Sequence, residues 1–192
     1  EFDAYENPDK NSHYTVLVRN EDNTLKTIWY HEMYKDKLQR VYELLDKAIA
    51  ITDNKSMKKY LTERKKALQT DKYYQSDLAW MAMKDTKIDF AFGPIENYDD
   101  ELNSIKTSYE AFVLVKDEEE SAKLDKFVSM LPQMQKELPC EPQHKSFVPG
   151  TAADVNVYDV VFYGGDCNAG GKTIAINLPN DERIQEEKGS RR

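Results

Sequence analysis

Residues 14–19 (Tyr-Thr-Val-Leu-Val-Arg) are mostly apolar and β-branched, and residues 24–30 (Thr-Leu-Lys-Thr-Ile-Trp-Tyr) alternate with a period near two. That period is the mark of a half-covered strand. The polar run Asn20-Glu21-Asp22-Asn23 between them offers turn chemistry, so the pair predicts a β-hairpin. From about Met33 to Ile51 the period changes. Leu38, Val41, Leu45 and Ile49 recur at helical spacing with no Gly or Pro between them. Thr52-Asp53-Asn54 breaks the pattern, and Asp53 or Asn54 can cap the next helix. Met57, Tyr60, Leu61 and Leu68 mark that second helix; Tyr74 to Lys84 predicts a third, with Leu78, Met81 and Ala82 on one side and Trp80 in the core.

The second half is richer in strands. Residues 87–98 read as a strand running into Gly93-Pro94-Ile95-Glu96-Asn97-Tyr98, and Tyr109–Val115 reads as a strand covered on both faces. Asp117-Glu118-Glu119-Glu120 places carboxylates where a helix dipole favours them. Leu124, Phe127, Leu131, Met134 and Leu138 give that helix an apolar stripe, and Pro132 should kink or restart it. Residues 139–154 read as a surface connector. Val155–Tyr163 and Thr173–Asn177 are the last expected strands. Helices and strands are segregated rather than alternating, which predicts an α+β fold: a small mixed β-sheet or barrel with several flanking helices. The organisation is a hairpin (1–32), a helical part (33–86) and a mixed β part with one long helix (87–192), forming a single lobe.

Charge and composition narrow the function classes. The chain has 192 residues with a net charge of −8, so counterion release on nucleic acid and attraction to an anionic membrane are both disfavoured. Mean hydropathy is −0.78, and no apolar run approaches the roughly 18 residues of a spanning helix. Lys55, Lys58, Lys59, Lys65 and Lys66 cluster on the second helix, where nearby carboxylates make a solvated face the simpler reading. Glu1-Phe2 at the start, without Met, and Lys188 to Arg192 at the close read as the ends of a piece cut from something longer. The compartment is therefore open: cytoplasmic is favoured, and a periplasmic or anchored parent is compatible.

Two apparent motifs fail on chemistry. His31-Glu32-Met33-Tyr34-Lys35 opens like HExxH, but a protonated Lys cannot replace the second imidazole. Gly165 to Thr173 imitates a phosphate-binding loop. It has five residues rather than four before Gly171-Lys172-Thr173, and Asp166 would repel phosphate. Its continuation, Ile174-Ala175-Ile176-Asn177-Leu178-Pro179, alternates like a strand instead of opening a helix. Cys140 and Cys167 are too few for a disulfide framework and are expected as free thiols, although one bridge is compatible with the spacing.

Three segments in register resemble the dipeptidyl peptidase III family of zinc metallopeptidases. They are Gly93-Pro94-Ile95-Glu96-Asn97-Tyr98-Asp99-Asp100, Tyr109-Glu110-Ala111-Phe112-Val113 with the helix ending at Leu138-Pro139, and Tyr158-Asp159-Val160-Val161-Phe162-Tyr163-Gly164-Gly165 leading to Ile176-Asn177-Leu178-Pro179-Asn180-Asp181. The resemblance covers at least residues 76–190. It implies one lobe of a two-lobed peptidase, the lobe that contains a small β-barrel and captures the substrate's N-terminus. In that family an HExxGH helix and a Glu-Glu-x-x-Ala-Asp type segment hold zinc after the Asn-x-Pro-Asn stretch, and neither occurs here. The expected cofactor is thus zinc in a full-length parent and none in this chain, which would be inactive alone. The expected partners are a peptide substrate and the C-terminal zinc-bearing lobe of the same parent, with no nucleic acid and no membrane.

Matched residue by residue, the resemblance makes Glu96 the carboxylate for a free α-ammonium, with Asn177 and Asn180 supplying amide oxygens. Tyr98 would be the catalytic hydroxyl beside the scissile carbonyl. Gly171, Lys172, Thr173 and Ile174 would form an edge strand that pairs with an extended peptide. There the sequence departs from the family's Gly-Ile-Pro-Ala and the preceding loop is longer, so release of two residues or of one stays open. Glu110 matches a further family carboxylate, without a definite role. The alternative reading is a stand-alone, non-catalytic peptide-binding or interaction module.

Overall fold

The computed structural model describes residues 1–145, 155–168 and 173–191. The chain opens with the antiparallel hairpin of β1 (Thr15–Arg19) and β2 (Leu25–Trp29), with Thr15 opposite Trp29. A helical body follows: α1 (Tyr30–Met33), α2 (Lys35–Ile51), α3 (Lys55–Thr70) and α4 (Tyr74–Ala82). Asn54 caps α3 as expected, its Oδ1 accepting from the Met57 N–H at 2.8 Å. A three-stranded sheet in the order β3 (Ile88–Glu96), β4 (Ser108–Asp117), β5 (Val157–Gly165) completes the fold. α5 (Glu118–Glu137) leaves β4 directly, capped by Asp117, and α6 (Glu182–Lys188) packs back on α4. The α+β segregation holds. The strands of both sheets pair antiparallel, and no barrel closes among the described residues.

The main core lies between the helices and one face of β3. Leu38, Leu45, Tyr60, Leu68, Trp80, Met83 and Ile184 are buried there, drawn from the helical stripes and from α6. A smaller cluster around Phe112, Leu114 and Cys167 sits on the other side of the sheet. Each fully buried Leu or Phe contributes about 1.5–3 kcal/mol of apolar transfer. Charges enter the core only with partners. Asp89 accepts from Trp80 Nε1 at 2.8 Å and from Arg191 Nη2 at 2.9 Å, and the Arg191 guanidinium also donates to the Trp80 carbonyl and lies over its ring. Arg191 is 5% exposed, so the segment read as a trailing end is part of the core.

Three expectations are corrected. Residues 173–177 form no strand; the Thr173 carbonyl accepts from the Tyr163 hydroxyl at 2.8 Å instead of from a neighbouring strand. α5 continues through Pro132 as one helix, so it does not restart there. α6 was not anticipated, although Asp181 caps it and Gly189 follows it, both readable signals. Cys140 is exposed and Cys167 buried, and both are free thiols. Lys65 pairs with Asp46 at 2.6 Å and the neighbouring lysines are largely exposed, in keeping with a solvated face.

Candidate functional site

A cleft of about 780 Å³ opens between the end of β3, the helical body and the 178–183 segment. The local folding of its rim begins at a bulge. In the β3–β4 ladder Pro94 pairs with Tyr109 and Glu96 with Ser108, so Ile95 is the extra residue. A bulge re-aims side chains and frees a carbonyl from the ladder. That carbonyl, of Ile95, accepts from Asn180 Nδ2 at 3.0 Å. The same Nδ2 donates to Glu96 Oε2 at 3.0 Å. Two acceptors on one nitrogen fix the amide orientation, which leaves the Asn180 oxygen as an acceptor beside the Glu96 carboxylate. No Lys, Arg or His among the described residues forms an ion pair with Glu96. The rim therefore presents carboxylate and amide oxygens that no cation among the described residues pairs with directly; Arg64 and Arg183 in the same cleft are paired with Asp77 and Asp181.

The 178–183 segment is held from both sides. Leu178 and Arg191 exchange two backbone hydrogen bonds, the Pro179 carbonyl accepts from Gln185 Nε2 at 2.8 Å, and Asp181 caps α6. α6 in turn is seated by fully buried Ile184 and by Arg183 over the Tyr74 ring. The back wall carries a second charged pair. Arg64, buried on α3, donates through Nη2 to Asp77 on α4 and lies over the Tyr60 and Tyr73 rings at 5.5 and 5.4 Å. Gly93 makes room for it: its φ is +150°, and a Cβ there would come within 3.3 Å of Arg64 Nη1. Burial raises the Asp77 pKa above its ordinary value, against the opposing pull of Arg64. Burial likewise pushes the Tyr14 and Tyr60 phenols in the cleft up to about 12, so both are neutral hydroxyls near pH 7.

Of the residues singled out from the sequence, the structure brings Glu96 and Asn180 together across 84 positions of sequence. Asn177 is exposed and is not among the cleft residues. Tyr98 lies beyond the end of β3, 68% exposed, and does not line the cleft either. Thr173 and Ile174 border a different groove of about 220 Å³, with Phe112, Val160 and Tyr163. Gly171 and Lys172 lie outside the described residues. Glu110 is buried near the start of β4, opposite Gly93 and Gly165. The sequence reading missed Arg64 and Asp77. The signal was present: Arg64 falls in the apolar stripe of α3, four residues from both Tyr60 and Leu68. A charge in such a stripe needs a partner.

Among the described residues no group of three or more His, Cys, Asp or Glu side chains is placed to hold a metal ion.

An α+β fold with a carboxylate-and-amide rim is the class of protein that the geometry defines. The chain belongs to Peptidase family M49, whose profile matches residues 6–191. Among solved structures it is similar to dipeptidyl peptidase III from Caldithrix abyssi, 44% identical with a TM-score of 0.88 over 95% of this chain and 34% of that one. It is also similar to dipeptidyl-peptidase III from Corallococcus sp. strain EGB, 33% identical with a TM-score of 0.82 over 99% of this chain and 36% of that one. Among curated proteins it is 35% identical to Nudix hydrolase 3 of Arabidopsis thaliana over 92% of this chain and 22% of that protein. It is 28% identical to human dipeptidyl peptidase 3 over 81% of this chain and 21% of that protein. The chain thus spans about a fifth of the length of the curated relatives it matches. No helix among the described residues is long and apolar enough to cross a membrane.

Proposed function

We propose that this chain is the substrate-binding lobe of a zinc-dependent dipeptidyl peptidase and that its cleft holds the free α-ammonium of a peptide. The observation that carries the reading is the Glu96–Asn180 pair. A carboxylate with no ion-pair partner among the described residues and an amide oxygen with its orientation fixed stand side by side at the cleft rim. An ammonium supplies the missing positive charge and donors for both. The M49 family is zinc-dependent in general. Zinc would be held by a part of the enzyme other than these residues, and there it would polarise the scissile carbonyl. What this chain contributes is position: anchoring the N-terminus fixes how far along the peptide the reacting bond lies. Tyr98 is proposed to reach that bond, and Thr173 and Ile174 to run along the extended peptide. Neither role is needed for capture of the ammonium. On its own the lobe binds peptide and does not hydrolyse it.

Calorimetry with a short peptide, free or N-acetylated, tests the reading. The free peptide should bind and the acetylated one should not. Glu96→Ala should cost about 2–4 kcal/mol, which is about 30- to 900-fold in Kd. Equal binding of both peptides, or wild-type affinity in Glu96→Ala, removes the assignment. The alternative of a stand-alone binding module predicts the same affinities, but no gain of hydrolysis when the lobe is grafted into a complete M49 enzyme.

A further inference from the structure

The loop between β3 and β4, residues 97–107, is eleven residues long, where hairpin connections usually take about two to five. It is nevertheless held from within. The Asp100 carboxylate accepts from the backbone N–H groups of Leu102, Ile105 and Lys106 at 3.2, 2.8 and 2.9 Å, and Asn97 Nδ2 donates to the Ser104 carbonyl at 2.6 Å. Its far end is fastened to the start of the chain. Lys106 Nζ donates to the Lys10 carbonyl, the Ser12 carbonyl and Thr15 Oγ1, each at 2.7 Å. The two carbonyls can only accept, and the Thr15 hydroxyl gives its own hydrogen to the Asp9 carbonyl at 2.9 Å. Three acceptors thus converge on one nitrogen, and only a protonated amine has three N–H groups to fill them. Burial acts to lower the Lys106 pKa, with Asp100 opposing, and the three oxygens take the place of water around the charge.

These contacts reach the cleft at Glu96. Thr107 adjoins Ser108, the ladder partner of Glu96, and Ser108 Oγ donates to the Glu96 carbonyl at 3.2 Å. Thr107 also donates through its backbone N–H and its Oγ1 to the His13 carbonyl at 3.0 and 2.8 Å, and the His13 ring donates through Nδ1 to the Ile105 carbonyl at 2.6 Å. His13, Tyr14 and Thr107 line the same cleft as Glu96, Asn97 and Asn180. One wall of the cleft is therefore built from two segments that lie 91 to 96 positions apart along the chain where Lys106 joins them. Lys106 itself is not among the cleft residues.

We propose that Lys106 is a positioning residue for peptide capture: its ammonium locks the 97–107 loop to residues 10–15 and so holds the Glu96 side of the cleft at the spacing that a peptide N-terminus needs. It acts through Glu96 and the cleft wall and does not touch the peptide. The proposal rests on the reading of the cleft as an α-ammonium site, while the lock itself can be measured without peptide.

The test removes the ammonium and then returns it. Lys106→Ala deletes what n-propylammonium can replace. Hydrogen exchange of the amides of residues 105–107 should become at least about tenfold faster in this variant. n-Propylammonium chloride should slow it again, and tetramethylammonium chloride, which has no N–H, should not. In calorimetry without added amine, the Kd of the variant for the free peptide should rise about tenfold or more. Thr15→Val keeps the volume and removes one acceptor, and it replaces Lys106→Ala should that variant fail to melt cooperatively. It should move both readouts in the same direction by about threefold. Unchanged exchange in both variants, no slowing by n-propylammonium, or wild-type peptide affinity in a variant whose exchange has risen overturns the proposal. Equal binding of free and acetylated peptide by the wild-type chain instead removes the ammonium reading, and with it the role in capture; exchange and rescue then decide the lock alone.

Discussion

The helical body and the α5–β5 edge carry nearly the same density of apolar residues, and they end in opposite situations. In α3, Tyr60, Leu61 and Leu68 fall on one side and are buried against α4 and β3. In α5, Phe127, Met130 and Met134 also fall on one side and stand exposed. Stripe geometry is alike; the difference is whether a second layer exists to receive it. The contrast extends to charge. Where the layers close, Asp89, Arg64 and Asp71 are taken inside with partners. Where they do not, α5 carries surface pairs such as Lys123 with Glu120, which are worth little individually.

The largest test of this contrast is Arg191→Ala. It leaves the buried Asp89 carboxylate without its cation and should cost about 3–5 kcal/mol in a denaturant melt. A cost below 1 kcal/mol would mean that the C-terminal segment is not part of the core. Next comes a matched pair of truncations. Leu68→Ala should cost about 2–5 kcal/mol because its cavity is enclosed on all sides. Phe127→Ala should stay within about 0.5 kcal/mol in the isolated chain. Comparable losses from the two would erase the distinction between the regions. A smaller effect, about 1 kcal/mol, is expected for Asn54→Ala, which removes the cap of α3.

The smallest effects are in the pH dependence, and two carboxylates should act with opposite signs. Burial raises the Asp71 pKa above 3.8 despite its hydrogen bonds from His31. Its native state therefore holds a proton that the unfolded chain has released, and its contribution to stability fades as pH climbs from 3.8 through the raised value. For Asp100, partial burial acts to raise the pKa, but the backbone N–H groups of Lys106 and Ile105 outweigh it and hold the carboxyl below 3.8. Its contribution is present above 3.8 and is lost as pH falls through the lowered value. Melts across this range should flatten in opposite directions for Asp71→Asn and Asp100→Asn. The same direction for both would mean that burial does not separate them.

Much of the architecture was legible because it is local. The hairpin follows from two period-two runs around Asn20–Asn23, and α2 and α3 from unbroken helical stripes with Asn54 at the junction. The pairing of Glu96 with Asn180 came from family-like segments in register, and no local period could have announced it. The expected strand over 173–177 failed because alternation alone does not create a neighbour; Tyr163 takes the Thr173 carbonyl by a side chain instead. Tyr98 and Asn177 illustrate the same limit. Two-residue spacing from Glu96 put Tyr98 on the same side of an extended segment, but β3 ends at Glu96 and the spacing rule ends with it.

By itself the sequence determined the element types, the acidic surface, the unfitness of the false motifs and the family likeness of three segments. These depend on neighbours within a few positions, where backbone preference and period act directly. Tertiary structure alone decided that Arg191 belongs to the core, that Arg64 and Asp77 form the back wall of the cleft, and that the α5 stripe stays bare. Those outcomes depend on which surfaces meet, and a buried charge or an exposed stripe is defined only by what lies opposite it.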